Sequence, residues 1–111
     1  MPTLFTKIIN GEIPGDIVYQ NDHVVAFRDI APKAPVHILI VTRAEIPGLA
    51  GLQEQGDHTH LLNAASKIAK QEGFDEKGFR LIINTGPDSG QEVPHLHAHL
   101  LAGRQLGPDF G

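Results

Sequence analysis

The chain has 111 residues, room for one hydrophobic core and therefore one domain over residues 1–111. With 41% hydrophobic and 20% charged residues it falls among ordinary globular compositions, which excludes a disordered or membrane-embedded class. Net charge is −4, and the Lys and Arg residues are scattered from Lys7 to Arg104 without a run. That pattern argues against a nucleic-acid polymer as partner and leaves open a small anionic ligand held by local donors. There is no cysteine, which excludes disulfides and any Cys-based zinc site. The segment MPTLFTKIINGEIPG has no long apolar run before a cleavage site, so no secretory leader is expected and the expected location is the cytoplasm.

Residues 3–10 place Leu4, Ile8 and Phe5 at helical spacing, with Gly11 as a stop. Ile17–Gln20 and Val24–Asp29 are β-prone runs separated by Asn21-Asp22-His23, a hairpin composition. Val36–Thr42 follows Pro32 and Pro35 and is apolar on both faces, as a central strand would be. Asp57–Glu72 predicts a helix with Leu61, Leu62, Ala65, Ile68 and Ala69 on one stripe, capped by Asp57 and Gly73. Phe79–Asn84 and His95–Leu101 read as strands on either side of the polar turn TGPDSGQ, and the Gly- and Pro-rich tail has no regular structure. The expected layout is α+β: an antiparallel meander with helices on one face.

Seven histidines occur, and three of them alternate in His95-Leu96-His97-Ala98-His99-Leu100-Leu101. On a strand this puts all three imidazoles on one face and the apolar residues on the other. Neighbouring members are about 6.6 Å apart and the outer pair about 13 Å, too far for all three to ligate one ion through bonds of roughly 2.0–2.1 Å. Two of them together with His37 form a rival zinc set, although the sequence indicates no second shell. The other route is covalent. A neutral imidazole is a good nucleophile toward phosphorus near pH 7, and neighbouring imidazoles can bind phosphate oxygens or handle a proton. Asn84 to Gln91 adds side-chain amides and turn N–H groups of the kind a phosphate site uses, a composition that plain surface turns share. His23, His58 and His60 read as surface residues, the last two pointing apart on their helix, and Arg28 and Lys33 read as solvated charge.

His95–Leu101 matches the His-φ-His-φ-His-φ-φ signature (φ apolar), and the chain resembles the histidine triad superfamily, in particular its Hint branch of purine nucleoside phosphoramidases. FTKIINGEIP, VVAFRDIAPKAPVHILIVTR and GQEVPHLHAHLLAGRQL carry the likeness in three blocks. The resemblance implies a five-stranded antiparallel sheet with two helices, and a homodimer with the sheets joined. It implies that His97 is the nucleophile that becomes nucleotidylated, that His99 touches the α-phosphate and helps the leaving group, and that His95 and His37 support them. Asp29 would grip both ribose hydroxyls, Phe27 and Ile30 would wall the base pocket, and Asn84 and Gln91 would lie on the phosphate side. The implied substrate is a purine nucleotide derivative, with no cofactor and no metal. The tail from Gly103 to Gly111 would lie near the neighbouring subunit's active site.

Four positions depart from that pattern: Thr6 in place of a cysteine that ligates structural zinc in some relatives, Pro94 in place of an aromatic, Ala102 in place of Gly, and Glu92 where some relatives have Ser. The missing cysteine implies no structural zinc. A nucleotide-binding or interaction module with vestigial activity, a His-based metalloprotein and a dinucleoside polyphosphate hydrolase are the alternatives.

Overall fold

The structure is a computed structural model describing residues 2–109. The expected domain boundaries at 1 and 111, and the last two tail residues, lie outside the described residues. Helix α1 (Leu4–Ile9) is capped by Thr3, whose hydroxyl accepts from the Thr6 N–H at 3.1 Å. Strands β1 (Ile17–Gln20) and β2 (Val24–Arg28) form the expected hairpin, and Asn21 Oδ1 accepts from the N–H groups of His23 and Val24 to close it. β3 (Val36–Thr42) is followed by the long helix α2 (His58–Glu72), which ends at Gly73 with φ 82° in the left-handed region. β4 (Arg80–Ile82) and β5 (His97–Ala102) complete the set, each shorter than or shifted from its sequence expectation.

The five strands form one antiparallel sheet in the order β1-β2-β3-β5-β4. The expected meander is therefore corrected. After α2 the chain runs to the far edge as β4 and returns into the gap beside β3 as β5. β4 has only half-buried residues, which suits an edge, whereas β5 presents buried Ala98, Leu100 and Ala102 to one face and needs neighbours on both sides.

The helices do not share a face, a second correction. On one side α2 sets Leu61, Ala64, Ala65, Ile68 and Ala69 against Val24, Ala26, Ile38, Ile40, Leu96, Ala98 and Leu100. Ala64 takes the place expected for Leu62, which is 55% exposed. On the other side, Phe5 of α1 packs against Val25, Phe27, Leu39 and Val41, the alternate residues of β2 and β3. Strands apolar on both faces need a cover on both, and α1 is the second cover. Fully buried Ile38, Ile40, Ile68 and Leu100 contribute roughly 1.5–3 kcal/mol each. Beyond β5, Gly103 has φ 97°, and a Cβ there would stand 2.8 Å from Pro35.

Among the described residues no helix is long and apolar enough to cross a membrane.

Candidate active site

The face that α1 only partly covers carries the chemistry. Register pairs Leu39 with His99, Val41 with His97 and His37 with Leu101, so strand alternation sends His37, His97 and His99 to one side. They open on a cavity of about 690 Å³, also lined by Asp29, Asn84 and Gln91, a size that suits a nucleotide.

His97 is buried, and its Nδ1 lies 2.6 Å from the carbonyl oxygen of His95. A carbonyl only accepts, so Nδ1 carries the proton and Nε2 keeps its lone pair. The Phe5 ring meets the imidazole edge-on, with centroids 4.8 Å apart, and fixes its plane. Burial holds the His97 pKa below the ordinary 6.5 against the opposing help of the His95 carbonyl. At neutral pH the ring is an uncharged nucleophile with a defined tautomer.

A second chain of bonds fixes His99. The Lys33 N–H donates to His37 Nδ1 at 3.0 Å, which leaves the His37 proton on Nε2. That Nε2 lies 3.0 Å from His99 Nδ1 and 3.5 Å from Asp29 Oδ2. His99 Nδ1 thus accepts, and its own proton sits on Nε2 as a donor. Burial lowers the pKa of both His37 and His99, with His97 and His37 adding like-charge repulsion at His99. One imidazole offers a lone pair and its neighbour, with ring centroids 5.1 Å away, offers an N–H.

His95 does not join them. It shares their side of the sheet, its ring meeting Phe5 edge-on with centroids 5.8 Å apart, but it precedes β5, is fully buried beneath α1 and does not line the cavity, so of the triad only His97 and His99 face the cavity. Its Nε2 lies 2.6 Å from the Thr42 carbonyl oxygen, which makes Nε2 the donor, and its Nδ1 accepts from the Thr3 hydroxyl at 2.6 Å. Thr3 N and Thr6 Oγ1 both donate to Glu45 Oε1, at 2.6 and 2.7 Å, holding the Glu45 carboxyl below its usual range. This network ties α1 to the loop after β3 and seats the carbonyl that orients His97. Sequence reasoning missed the roles of Thr3, Thr42 and Phe5; their only signal was position, Phe5 and Thr42 lying inside the matching blocks and Thr3 two residues before the first.

Asp29 follows β2 at the cavity wall, and its Oδ1 accepts from the Ala31 N–H at 2.8 Å. Asn84 lines the cavity and has no side-chain bond among the described residues. Gln91 is engaged otherwise than expected: Nε2 donates to the Pro47 and Val93 carbonyls and Oε1 accepts from the Gly86 N–H, so its amide braces the turn. Phe27 is buried in the α1 core, and Ile30 projects fully into solvent; neither lines the cavity, which corrects their expected place as its apolar walls. Arg28 forms ion pairs with Glu72 and Asp16, in keeping with surface charge. The tail lies over the chain's own cavity, Arg80 donating to the carbonyls of Gly107 and Asp109 at 2.6 and 3.2 Å.

Asp29, His37 and His99 stand close enough to hold a metal ion, but the two imidazole nitrogens that would ligate it are already hydrogen-bonded to each other. His95 and His97, members of the rival zinc set, lie outside that group.

A cavity that presents one unprotonated imidazole nitrogen beside an imidazole N–H belongs to a histidine-based group-transfer protein. The HIT domain model matches residues 10–106, and the chain belongs to the histidine triad (HIT) family. It is 53% identical over 108 residues to the purine nucleoside phosphoramidase of Escherichia coli (strain K12), covering 96% of this chain and 91% of that protein. A histidine triad protein from Clostridium difficile superposes with a TM-score of 0.91 at 47% identity, covering 97% of this chain and 95% of the other. A HIT family hydrolase from Legionella pneumophila Philadelphia 1 has the same TM-score at 42% identity, covering 99% and 100%.

Proposed function

We propose that the protein hydrolyses purine nucleoside 5′-phosphoramidates, with residues 1–111 acting as one HIT domain in the cytoplasm. The observation that carries this reading is the pairing of a lone pair at His97 Nε2 with a donor at His99 Nε2, each set by bonds at the opposite ring nitrogen. The Escherichia coli relative's name supplies the substrate class.

In the first step His97 Nε2 attacks the α-phosphorus, an N–P bond forms and the substrate's P–N bond breaks. The amine leaves with that electron pair and takes a proton from solvent, while His99 Nε2–H bonds to a phosphate oxygen or to the leaving nitrogen. Positive charge arising on His97 is met by the His95 carbonyl at Nδ1. Water then attacks the nucleotidyl phosphorus, loses its proton to solvent, and His97 departs neutral. Asp29 accepts from both ribose hydroxyls, and Asn84 serves the phosphate side. His37 holds the His99 tautomer, and His95 acts through its carbonyl as a positioning residue. No metal or cofactor enters these steps, and the substrate is a small nucleotide and not a nucleic-acid polymer.

The working form is a homodimer with its sheets joined; β4 is the short strand at one sheet edge. Sizing by light scattering tests this, and a monomer at micromolar concentration contradicts it. Steady turnover of a fluorogenic adenosine phosphoramidate by chelator-treated protein tests the activity, and nucleotide binding without turnover contradicts it.

A further inference from the structure

Two of the histidines read as surface residues pair with each other. His23, in the β1–β2 turn, stacks on His60 of α2, with ring centroids 3.6 Å apart and planes 5° from parallel. Neither ring forms a hydrogen bond among the described residues. Asp57 lies three residues before His60, so their side chains share one helix face. An aspartate at this position ordinarily caps the helix, yet the Asp57 side chain makes no capping bond and its carboxylate has no partner among the described residues. One nitrogen of each imidazole and one Asp57 oxygen all lie within 4.8 Å of one another.

We propose that His23, Asp57 and His60 form a surface site for a divalent transition-metal ion that accepts imidazole and carboxylate ligands, such as Zn²⁺, Ni²⁺ or Co²⁺. None of the three lines the catalytic cavity. Two imidazoles and one carboxylate match the ligand preference of these ions and leave a coordination position for water. Tetrahedral bonds of roughly 2.0–2.1 Å require donor atoms about 3.3 Å apart, so donors no more than 4.8 Å apart must close by at most about 1.5 Å. Because the lone pairs of the parallel rings lie in parallel planes, binding also requires the rings to unstack and turn toward the ion, and His23 is exposed on a turn while His60 is half-buried. The bound ion would link the β1–β2 turn to the start of α2 and stabilise the folded chain by mass action.

The test is titration of chelator-stripped protein with NiCl₂ by calorimetry, paired with NMR of the histidine ring protons as Co²⁺ is added. The expected result is one site in the wild type, weakened at least about tenfold in both His60→Ala and His23→Asn. Co²⁺ should broaden the His23 and His60 ring signals before those of His37 and His99, and phosphoramidate turnover by His60→Ala in metal-free buffer should match the wild type. Equal Ni²⁺ affinity in wild type and both variants, or broadening that begins at His37 and His99, overturns the proposal.

Discussion

The Nδ1 atom of His97 lies 2.6 Å from the backbone oxygen of His95, two residues earlier in its own chain. The bond makes one histidine's main chain the orienting partner of the next one's side chain. It requires His95 to be immobile, and the ring of His95 is held at both nitrogens, by Thr42 and by Thr3.

Thr3→Val should therefore reach the chemistry from a distance. It leaves His95 Nδ1 buried without a donor, at a cost of about 1–3 kcal/mol in stability, and removes the cap of α1. We expect kcat to fall about tenfold, equivalent to about 1.4 kcal/mol in barrier, with KM little changed and with rescue by Thr3→Ser. A stability loss with unaltered kcat would show that the network is structural alone.

Ribose recognition is tested at Asp29. Asp29→Ala should weaken ribonucleotide binding by about 1.5–3 kcal/mol for each lost charge-assisted bond, and 2′-deoxyribonucleotide binding by less. The lost bond to the Ala31 N–H affects both ligands alike. Equal losses measured by calorimetry would place the carboxylate away from the ribose.

The pH dependence has a definite sign. His37, His97 and His99 have folded pKa values below the ordinary 6.5, through burial. Between the folded and unfolded values the unfolded chain binds more protons, so stability is full above about pH 6.5 and declines as the pH falls below it. Activity should likewise fall on the acid side as His97 Nε2 is protonated, with the midpoint of kcat/KM below 6.5. A midpoint above 6.5 would contradict the burial argument.

The triad and α2 were legible from periods of two and 3.6, β3 from its continuous apolar run after Pro32 and Pro35, and the hairpin from the turn composition of Asn21-Asp22-His23. The place of β5 between β3 and β4 was not, since local pattern carries no information about which strand fills a gap. The side taken by α1 was hidden for a similar reason: β2 and β3 are apolar on both faces and invite a cover on either. Alternation put His95 on the side of His97 and His99, but it could not show that Phe5 and Thr3 of the α1 segment close over His95 and keep it out of the cavity. His23 and His60 are 37 positions apart, so spacing could not pair them.

Replacing the nucleophile should separate binding from chemistry. His97→Ala keeps Asp29 and the cavity walls, so a nucleoside monophosphate should bind near wild-type affinity while turnover falls to background. Loss of binding parallel to the loss of rate would make His97 a ligand contact and not the attacking group.

The covalent intermediate is the most direct test of the mechanism. Wild-type protein mixed with an adenosine phosphoramidate should be quenched within the first turnovers and digested quickly, because a phosphoramidate on histidine is labile in acid. The account predicts a peptide containing His97 heavier by one nucleoside monophosphate, attached at Nε2 and absent from His97→Ala. Turnover without any adduct, abolished by a strong chelator and restored by zinc, would contradict it and make the histidines metal ligands.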